Sequence, residues 1–354
     1  MYVRAGAKKF KGLLVGLLIG LMILSGCATP TPAPAVPQEA VTSTPTAVPT
    51  AMTSPTAVPT ETETTAPTST ATPVPTVVPT ATPTTPVADL TCTLGPVAEM
   101  PDETELRDPG VYTVIGVAND DRLNVRTCPG AMHPIVHQLM PYSAGLQRAG
   151  QSREIEGQPW TPINYGGAAG WVNAGYLARQ YGEADPEVAV RAGQIVRALR
   201  EQDWDAVAAA VHPGVGARFS PYAFVRMGEG EDADRVFSAA ELAGLAGDET
   251  IYHWGVFDGS GEPIEMSFID YYARFIYDAD FGWPYAVAYN EIVGSGNTIN
   301  NLAEVYPQAE VVEYHLAGSD PRFGGMDWRS LRLALEKVGD TWYLVGLVHD
   351  EWTI

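Results

Sequence analysis

The fold of the chain's last part is decided by residues 330–349, which have the sequence SLRLALEKVGDTWYLVGLVH. The first half of this stretch alternates Leu331, Leu333 and Leu335 with other residues, which is typical of a strand. The second half is apolar on both faces, as in the central strand of a sheet. Because Val338-Gly339-Asp340 favours a tight turn, we predict a hairpin of strands 330–337 and 341–349. A third strand is predicted over residues 310–316.

The segment before this hairpin has helical spacing at its start. Apolar residues recur from Val188 to Leu199 at helical intervals, and a second helix is predicted to follow Asp203, a good N-cap residue. His212-Pro213 ends that helix. The remaining elements are predicted as a strand at 217–219, a helix at 239–246, a strand at 251–256 and an aromatic-rich helix at 267–277. These elements predict an α+β domain over residues 183–354.

Two parts of this domain resemble a known superfamily. They are the helix pair ending in Asp203-Trp204-Asp205-Ala206-Val207 and the terminal hairpin through Gly339-Asp340-Thr341-Trp342-Tyr343-Leu344-Val345-Gly346. Both are similar to the NTF2-like proteins, whereas residues 221–300 match nothing in them. The resemblance implies a cone-shaped α+β fold. The aromatic stripe of the helix predicted at 267–277, formed by Phe268, Tyr272 and Phe275, would be either core or the wall of a ligand cavity.

Members of that superfamily that are enzymes transfer protons with a carboxylate or a His–Asp pair inside the cavity. The side chains of this chain that suit such a role are His212, His253, Asp270, His315 and the pair His349-Asp350. A general base must lie within hydrogen-bond reach of its substrate. Because none of these residues lies in a motif that fixes its role, we assign no catalytic residue.

The sequence shows no convincing metal motif. Asp278 and Asp280 have the spacing of a calcium loop, but the third acid and the distal glutamate of an EF-hand loop are missing. His133 and His137 lack a third ligand nearby. We therefore predict no metal site and no cofactor.

Residues 110–180 have the pattern of a small all-β barrel, with short strands separated by Gly, Pro and Asn turns. Strands are predicted at 111–117, 123–126 and 160–165, and a last strand begins at Gly170. Pro162 favours an edge position for the third of these strands.

The motifs of this barrel resemble those of the bacterial SH3 (SH3b) family. They are Leu123-Asn124-Val125-Arg126-Thr127-Cys128-Pro129-Gly130, the mid-domain Trp160, and Gly170-Trp171-Val172 ending in Tyr176-Leu177. The family more often has Ser-Gly at Thr127-Cys128. The resemblance implies a barrel domain over residues 89–182, with an N-terminal extension, that recognises cell-wall peptides or glycans. Trp160, Tyr165 and Trp171 are then candidate ligand-binding residues, and the alternative for the two tryptophans is barrel core.

The N-terminus has the features of an export signal. Arg4, Lys8, Lys9 and Lys11 precede an apolar run over residues 13–24 that is too short to span a membrane. Leu24-Ser25-Gly26-Cys27 resembles a bacterial lipobox, which implies cleavage after residue 26 and a lipid on Cys27. The alternative is an ordinary secretory signal.

Residues 27–88 are predicted to be a disordered tether. Fourteen of the chain's 29 prolines lie in residues 28–88, which are otherwise mostly Thr, Ala, Val and Ser. Such a segment buries too little apolar surface to fold, and its prolines favour an extended chain.

Cysteine content and charge constrain the rest. Of three cysteines, lipidation of Cys27 leaves Cys92 and Cys128, which we predict to form a disulfide in an oxidising compartment, with two free thiols as the alternative. Residues 109–182 carry four acidic and five basic residues, whereas residues 183–354 carry 29 acidic and 11 basic ones. The acidic part argues against nucleic acid as a partner.

The sequence thus predicts a multidomain protein in which a disordered Pro/Thr-rich linker precedes a small SH3-like barrel and then an α+β domain. We expect a surface lipoprotein of the cell envelope, lipid-anchored and extracytoplasmic, that binds rather than catalyses. Its expected partners are cell-wall peptidoglycan or envelope proteins, and the lipid is expected to attach it to the membrane. The alternative is an envelope enzyme whose active site lies in the C-terminal domain.

Overall fold

The computed structural model of the chain describes Cys92, residues 108–228, Gly230 and residues 232–353. The predicted signal peptide at 1–26, the lipidated Cys27 and the tether at 27–88 lie outside the described residues. Within the described part of the chain, no helix is long and apolar enough to cross a membrane.

The chain first forms a series of short strands. They are β1 (Val111–Val114), β2 (Leu123–Arg126), β3 (Ile135–Leu139), β4 (Leu146–Arg148), β5 (Arg153–Ile155), β6 (Gln158–Tyr165), β7 (Ala168–Asn173) and β8 (Leu177–Tyr181). The prediction at 123–126 is confirmed in full, and β1, β6 and β7 overlap their predictions. Strands β3 to β5 were not predicted, because they are short and expose most of their side chains.

Two helices follow, and each begins at an aspartate. The Asp185 side chain accepts hydrogen bonds from the first turn of α1 (Pro186–Glu201), which buries an apolar face ending at Leu199. The Asp203 side chain likewise accepts from Ala206 N of α2 (Trp204–Ala210), which confirms the predicted N-cap.

The remaining elements are mostly strands. They are β9 (Ala217–Ser220), β10 (Arg235–Phe237), α3 (Ala239–Leu242), β11 (Tyr252–Val256), β12 (Pro263–Met266), α4 (Phe268–Tyr271) with the π-helix Tyr272–Ile276, β13 (Ala286–Tyr289), α5 (Leu302–Val305), β14 (Glu310–Leu316), β15 (Arg329–Val338) and β16 (Thr341–Glu351). The three predicted terminal strands are confirmed. The helix predicted at 239–246 stops early, at Leu242, and a 3-10 turn covers Leu245–Gly247.

In the described part of the chain these strands join into one mixed sheet of 14 strands, in the order β10-β9-β16-β15-β14-β13-β8-β1-β4-β6-β7-β2-β3, with β5 attached to β6. Strand β8 pairs in parallel with β13, where Arg179 faces Ala286. Strands β11 and β12 form a separate two-stranded sheet.

This topology overturns the predicted fold class. The prediction of a small SH3-like barrel followed by an α+β cone is wrong. Strand β8 pairs with β13, so that the first eight strands and the last strands belong to one sheet. The sequence pattern identified several strands but contained no signal for a pairing between segments a hundred residues apart.

The aromatic stripe of the α4 region belongs to the core. Phe268, Tyr272 and Phe275 are buried, and the Tyr271 ring stacks on Trp254 with centroids 3.8 Å apart. The core alternative for this stripe is therefore the correct one. The predicted disulfide is present between Cys92 and Cys128.

Candidate functional site

A cavity of about 460 Å³ lies where β14 ends, β15 begins and β16 ends. Its volume falls within the range of small-molecule sites, about 300–1,000 Å³. It is lined by Tyr285, Val293, Gly294, Ser295, His315, Ala317, Gly318, Gly324, Gly325, Met326, Trp328 and Trp352. None of these twelve residues carries a full charge at neutral pH, although the chain as a whole has a net charge of −21.

The polar floor beside this cavity is built by strand register. In the β14–β15 ladder, His315 faces Ser330 and Glu313 faces Arg332, and in the β15–β16 ladder Ser330 faces Asp350. Because side chains alternate across a strand, these five residues lie on one face of the sheet. All five are buried.

Gly294 brings a loop down onto this polar face. Its N–H donates to Glu313 Oε1 over 2.8 Å, and its carbonyl accepts from Arg332 Nη2 over 2.6 Å. A Cβ at this position would lie 2.3 Å from Ser330 Oγ and 2.7 Å from the Trp328 ring. The loop can therefore seat here only with glycine.

Arg332 is the central cation of the floor and is fully buried. Its Nε lies 3.3 Å from Glu313 Oε2, and its Nη1 lies 2.8 Å from Asp350 Oδ2. Neither nitrogen reaches hydrogen-bonding geometry, so these contacts are ion pairs by distance, and the bond to Gly294 is the well-formed one. Burial raises the pKa of Asp350, although Arg332 acts in the opposite direction.

Glu313 is held ionised. Burial alone would raise the pKa of this carboxyl, but Arg332, the Ser330 hydroxyl and the N–H groups of Val293 and Gly294 together lower it. The Ser330 hydroxyl donates to Glu313 Oε1 over 2.6 Å. A carboxylate that accepts this many donors is stable as an anion inside a protein.

This arrangement fixes the tautomer of His315. Its Nδ1 lies 2.9 Å from Ser330 Oγ. Because the one hydroxyl proton of Ser330 is donated to the Glu313 carboxylate, Nδ1 must carry a proton and donate to Oγ. The other nitrogen, Nε2, then bears a lone pair. No described residue hydrogen-bonds to Nε2.

The protonation state of His315 agrees with this assignment. Burial lowers the pKa of the imidazole to about 4, and the nearby Glu313 only partly opposes the shift. The ring is therefore neutral at physiological pH. The chain Glu313–Ser330–His315 presents an uncharged hydrogen-bond acceptor at the cavity.

Aromatic side chains form the cavity walls. Trp328 is buried and lies against the His315 ring, with centroids 5.9 Å apart, whereas Trp352 is 44% exposed. Tyr285 completes the aromatic part of the lining, and the Arg179 guanidinium lies 4.2 Å above its ring centroid.

A second polar cluster lies on the opposite face of the same strands. Asp278, His349 and Glu351 place one ligand atom each within 4.8 Å of one another, which is a spacing that could hold a metal ion. Arg329 Nε lies 2.8 Å from Asp278 Oδ2, and Arg274 pairs with Glu351. Two guanidiniums thus already neutralise the two carboxylates, so the cluster joins the α4 region to the sheet as an ion-pair network.

The other side chains considered for catalysis lie apart from the cavity. His212 Nδ1 accepts from Gly214 N and Val215 N, and the Asp270 side chain accepts from the Ser267 hydroxyl at the start of α4. His253 lies on β11, in the separate small sheet. Of the histidines considered, only His315 lines the cavity.

The residues predicted to bind the cell wall lie on β6 and β7. Trp160 and Trp171 are buried, as expected of core side chains, and Tyr165 on β6 is half-buried. The Arg153 guanidinium lies 5.9 Å above the Trp171 ring. A wall-binding role for these three residues stays a prediction.

Sequence reasoning missed most of the floor and the walls. Ser330 and Arg332 occupy the polar positions of an alternating strand, which predicts a solvent face, but the loop at Gly294 covers that face. An arginine within the run of leucines at 331–335 is the signal that could have indicated a buried ion pair.

No family model, curated protein or solved structure significantly matches the chain.

Proposed function

We propose that this chain is a binding protein whose ligand occupies the cavity between His315, Trp328 and Trp352. The single observation that carries the proposal is an uncharged, aromatic-walled cavity of about 460 Å³ with a fixed, neutral acceptor at its floor. Ligand sites in proteins combine largely apolar walls with a few precisely placed polar groups. The site has this composition.

We also propose a cellular location for the protein. The lipobox at Cys27 and the Pro/Thr-rich tether at 27–88 support a lipid-anchored, extracytoplasmic protein of the cell envelope. Peptidoglycan and envelope proteins are the partners within reach of such a tether.

A thermal-shift screen of the full chain tests the binding proposal. The screen uses neutral saccharides, amino acids, quaternary ammonium salts and aromatic compounds as probes. Trp352→Ala should abolish the stabilisation given by any hit, because it removes a cavity wall. Trp283→Ala is the matched control, since Trp283 is 37% exposed and does not line the cavity. Stabilisation that survives in both variants, or no hit in any class, would contradict the proposal.

The second candidate function is an enzyme that uses His315 as a general base. The observation in its favour is the Glu313–Ser330–His315 chain, which leaves Nε2 unprotonated beside the cavity. A neutral imidazole so placed can accept a proton from a bound hydroxyl or water. Turnover of a bound ligand by the wild type, with binding but no turnover in His315→Gln, would favour the enzyme.

A further inference from the structure

The charges around the cavity restrict the ligand's charge. An anionic ligand finds no cationic side chain in the lining, and within the floor the single guanidinium of Arg332 is paired with both Glu313 and Asp350. The floor therefore carries no excess positive charge to attract an anion.

A cationic ligand is disfavoured for a different reason. Aromatic rings can bind a cation on their faces. However, the Arg179 guanidinium already lies 4.2 Å above the Tyr285 ring, so a ligand cation on this ring would be repelled by it. The cavity lining also offers no carboxylate as a partner. These observations favour a neutral ligand.

The floor requires that the ligand donate a hydrogen bond. Nε2 of His315 bears a lone pair because Nδ1 donates to Ser330. A ligand that covers this nitrogen without donating to it would leave a desolvated acceptor unpaired. Sites built in this way reject analogues that lack the donor. A purely aromatic or aliphatic ligand is thus disfavoured.

The walls require that the same ligand carry apolar faces. Trp328 and Trp352 offer indole surfaces, and the glycines at 318, 324 and 325 leave backbone groups of the cavity rim uncovered by side chains. The Ser295 side chain is at the rim too and is exposed. Apolar faces combined with several hydroxyl groups around a neutral ring are the properties of a sugar.

Resting on the proposed binding function, we infer that the cavity binds a neutral saccharide ring that stacks on Trp328 or Trp352 and donates a hydroxyl hydrogen bond to Nε2 of His315. The recognised unit is a sugar ring of a larger glycan or a free sugar, and the chemistry is the same for both.

Isothermal titration calorimetry of the full chain tests this inference. The probes are N-acetylglucosamine, its trimer, glucose and maltose, with tetramethylammonium chloride, phenol and sodium phosphate as the cationic, aromatic and anionic comparisons. The variants are His315→Leu, which removes the acceptor, Trp352→Ala, and the control His137→Gln on the exposed part of β3. Circular dichroism and thermal unfolding of each variant separate lost binding from lost folding.

We expect at least one neutral saccharide to bind the wild type and His137→Gln equally. Its affinity should fall at least tenfold in His315→Leu and in Trp352→Ala, provided both variants remain folded. If His315→Leu does not fold, loss of affinity for a deoxy analogue of the bound sugar replaces it as the measure of the hydrogen bond. Binding of tetramethylammonium, phenol or phosphate at Trp352, with no saccharide binding, would overturn the ligand class and leave the binding function standing. Absence of binding by every probe would contradict both.

Discussion

The imidazole of His315 and the hydroxyl of Ser330 face each other across the β14–β15 ladder, with Nδ1 and Oγ 2.9 Å apart. This contact links a buried carboxylate to the cavity, because the same hydroxyl donates to Glu313. It determines which nitrogen of His315 carries the proton. The chemical character of the cavity floor therefore depends on one serine.

Replacing Ser330 with alanine should affect both stability and binding. The variant removes a donor from the buried Glu313 and the partner of His315 Nδ1, and buried polar groups left unpaired cost about 1–3 kcal/mol. Urea unfolding of Ser330→Ala should show a loss of this size. Ligand affinity should fall as well, because His315 is then free to adopt the other tautomer. An unchanged free energy of unfolding would show that Ser330 does not bridge the two residues.

The free energy of unfolding should decrease as the pH falls from about 6.5 to about 4, because the buried His315 resists protonation. Burial lowers the pKa of this imidazole to about 4 in the native state, whereas the reference value is 6.5. Within this interval the unfolded chain binds a proton that the native chain does not. The neutral His315 ring therefore stabilises the native state fully above about pH 6.5, and this stabilisation is lost as the pH falls to about 4. The loss is at most about 3 kcal/mol.

Comparison of His315→Gln with His137→Gln isolates this effect. His137 is exposed on β3, and its replacement serves as the control for removing a histidine. In His315→Gln the decrease in stability over the same interval should be smaller than in the wild type. Chemical denaturation at about pH 7 and about pH 4.5 measures both. Equal pH dependence in all three proteins would mean that His315 is not buried as a neutral group.

Arg332→Met should strongly destabilise the protein. The change leaves the carboxylates of Glu313 and Asp350 buried without their cation, and breaking a buried ion pair in this way costs about 3–5 kcal/mol. Arg322→Met is the matched control, since the Arg322 side chain is 80% exposed where it pairs with Asp320. A surface pair of this kind is screened by solvent and contributes little to stability. Similar unfolding free energies for the two variants would contradict the described floor.

Removing the disulfide should destabilise the first strands. Cys92 and Cys128 are 36 residues apart in sequence, and closing a loop of that length stabilises a protein by about 3–4 kcal/mol in the chain-entropy model. Thermal unfolding of the double variant Cys92→Ser/Cys128→Ser should show this loss. Mass spectrometry of non-reduced peptides supplies the control, because the wild type must contain the linked pair. Detection of two free thiols in the native protein would contradict the structure.

The sequence predicted local structure better than long-range pairing. The hairpin at 330–349 was predicted because its leucine alternation and the turn at Gly339 are local signals, and both are present in β15 and β16. The parallel pairing of β8 with β13 has no local signal, so two separate folds were predicted where one sheet forms.

For the candidate site too, the sequence predicted what depends on local signals and missed what depends on long-range pairing. His315 could be singled out by residue type alone. Its partner Ser330 could not, because a serine on an alternating strand predicts contact with solvent. Only the register of β14 against β15 and the loop at Gly294 make it a buried bridge to Glu313. Trp352 is missed for a similar reason, since it lies after the last strand and reaches the cavity only through the fold.

The long-range ¹H–¹⁵N NMR spectrum of the His315 ring, recorded for the full chain without and with a bound saccharide, tests the proposed site most directly. We expect a neutral ring protonated at Nδ1, with a pyridine-type ¹⁵N shift at Nε2 that moves when the ligand donates its hydrogen bond. Comparison with His315→Gln assigns the signals. A ring protonated at Nε2, or an Nε2 shift that does not change on saturation with a sugar that requires Trp352, would contradict it.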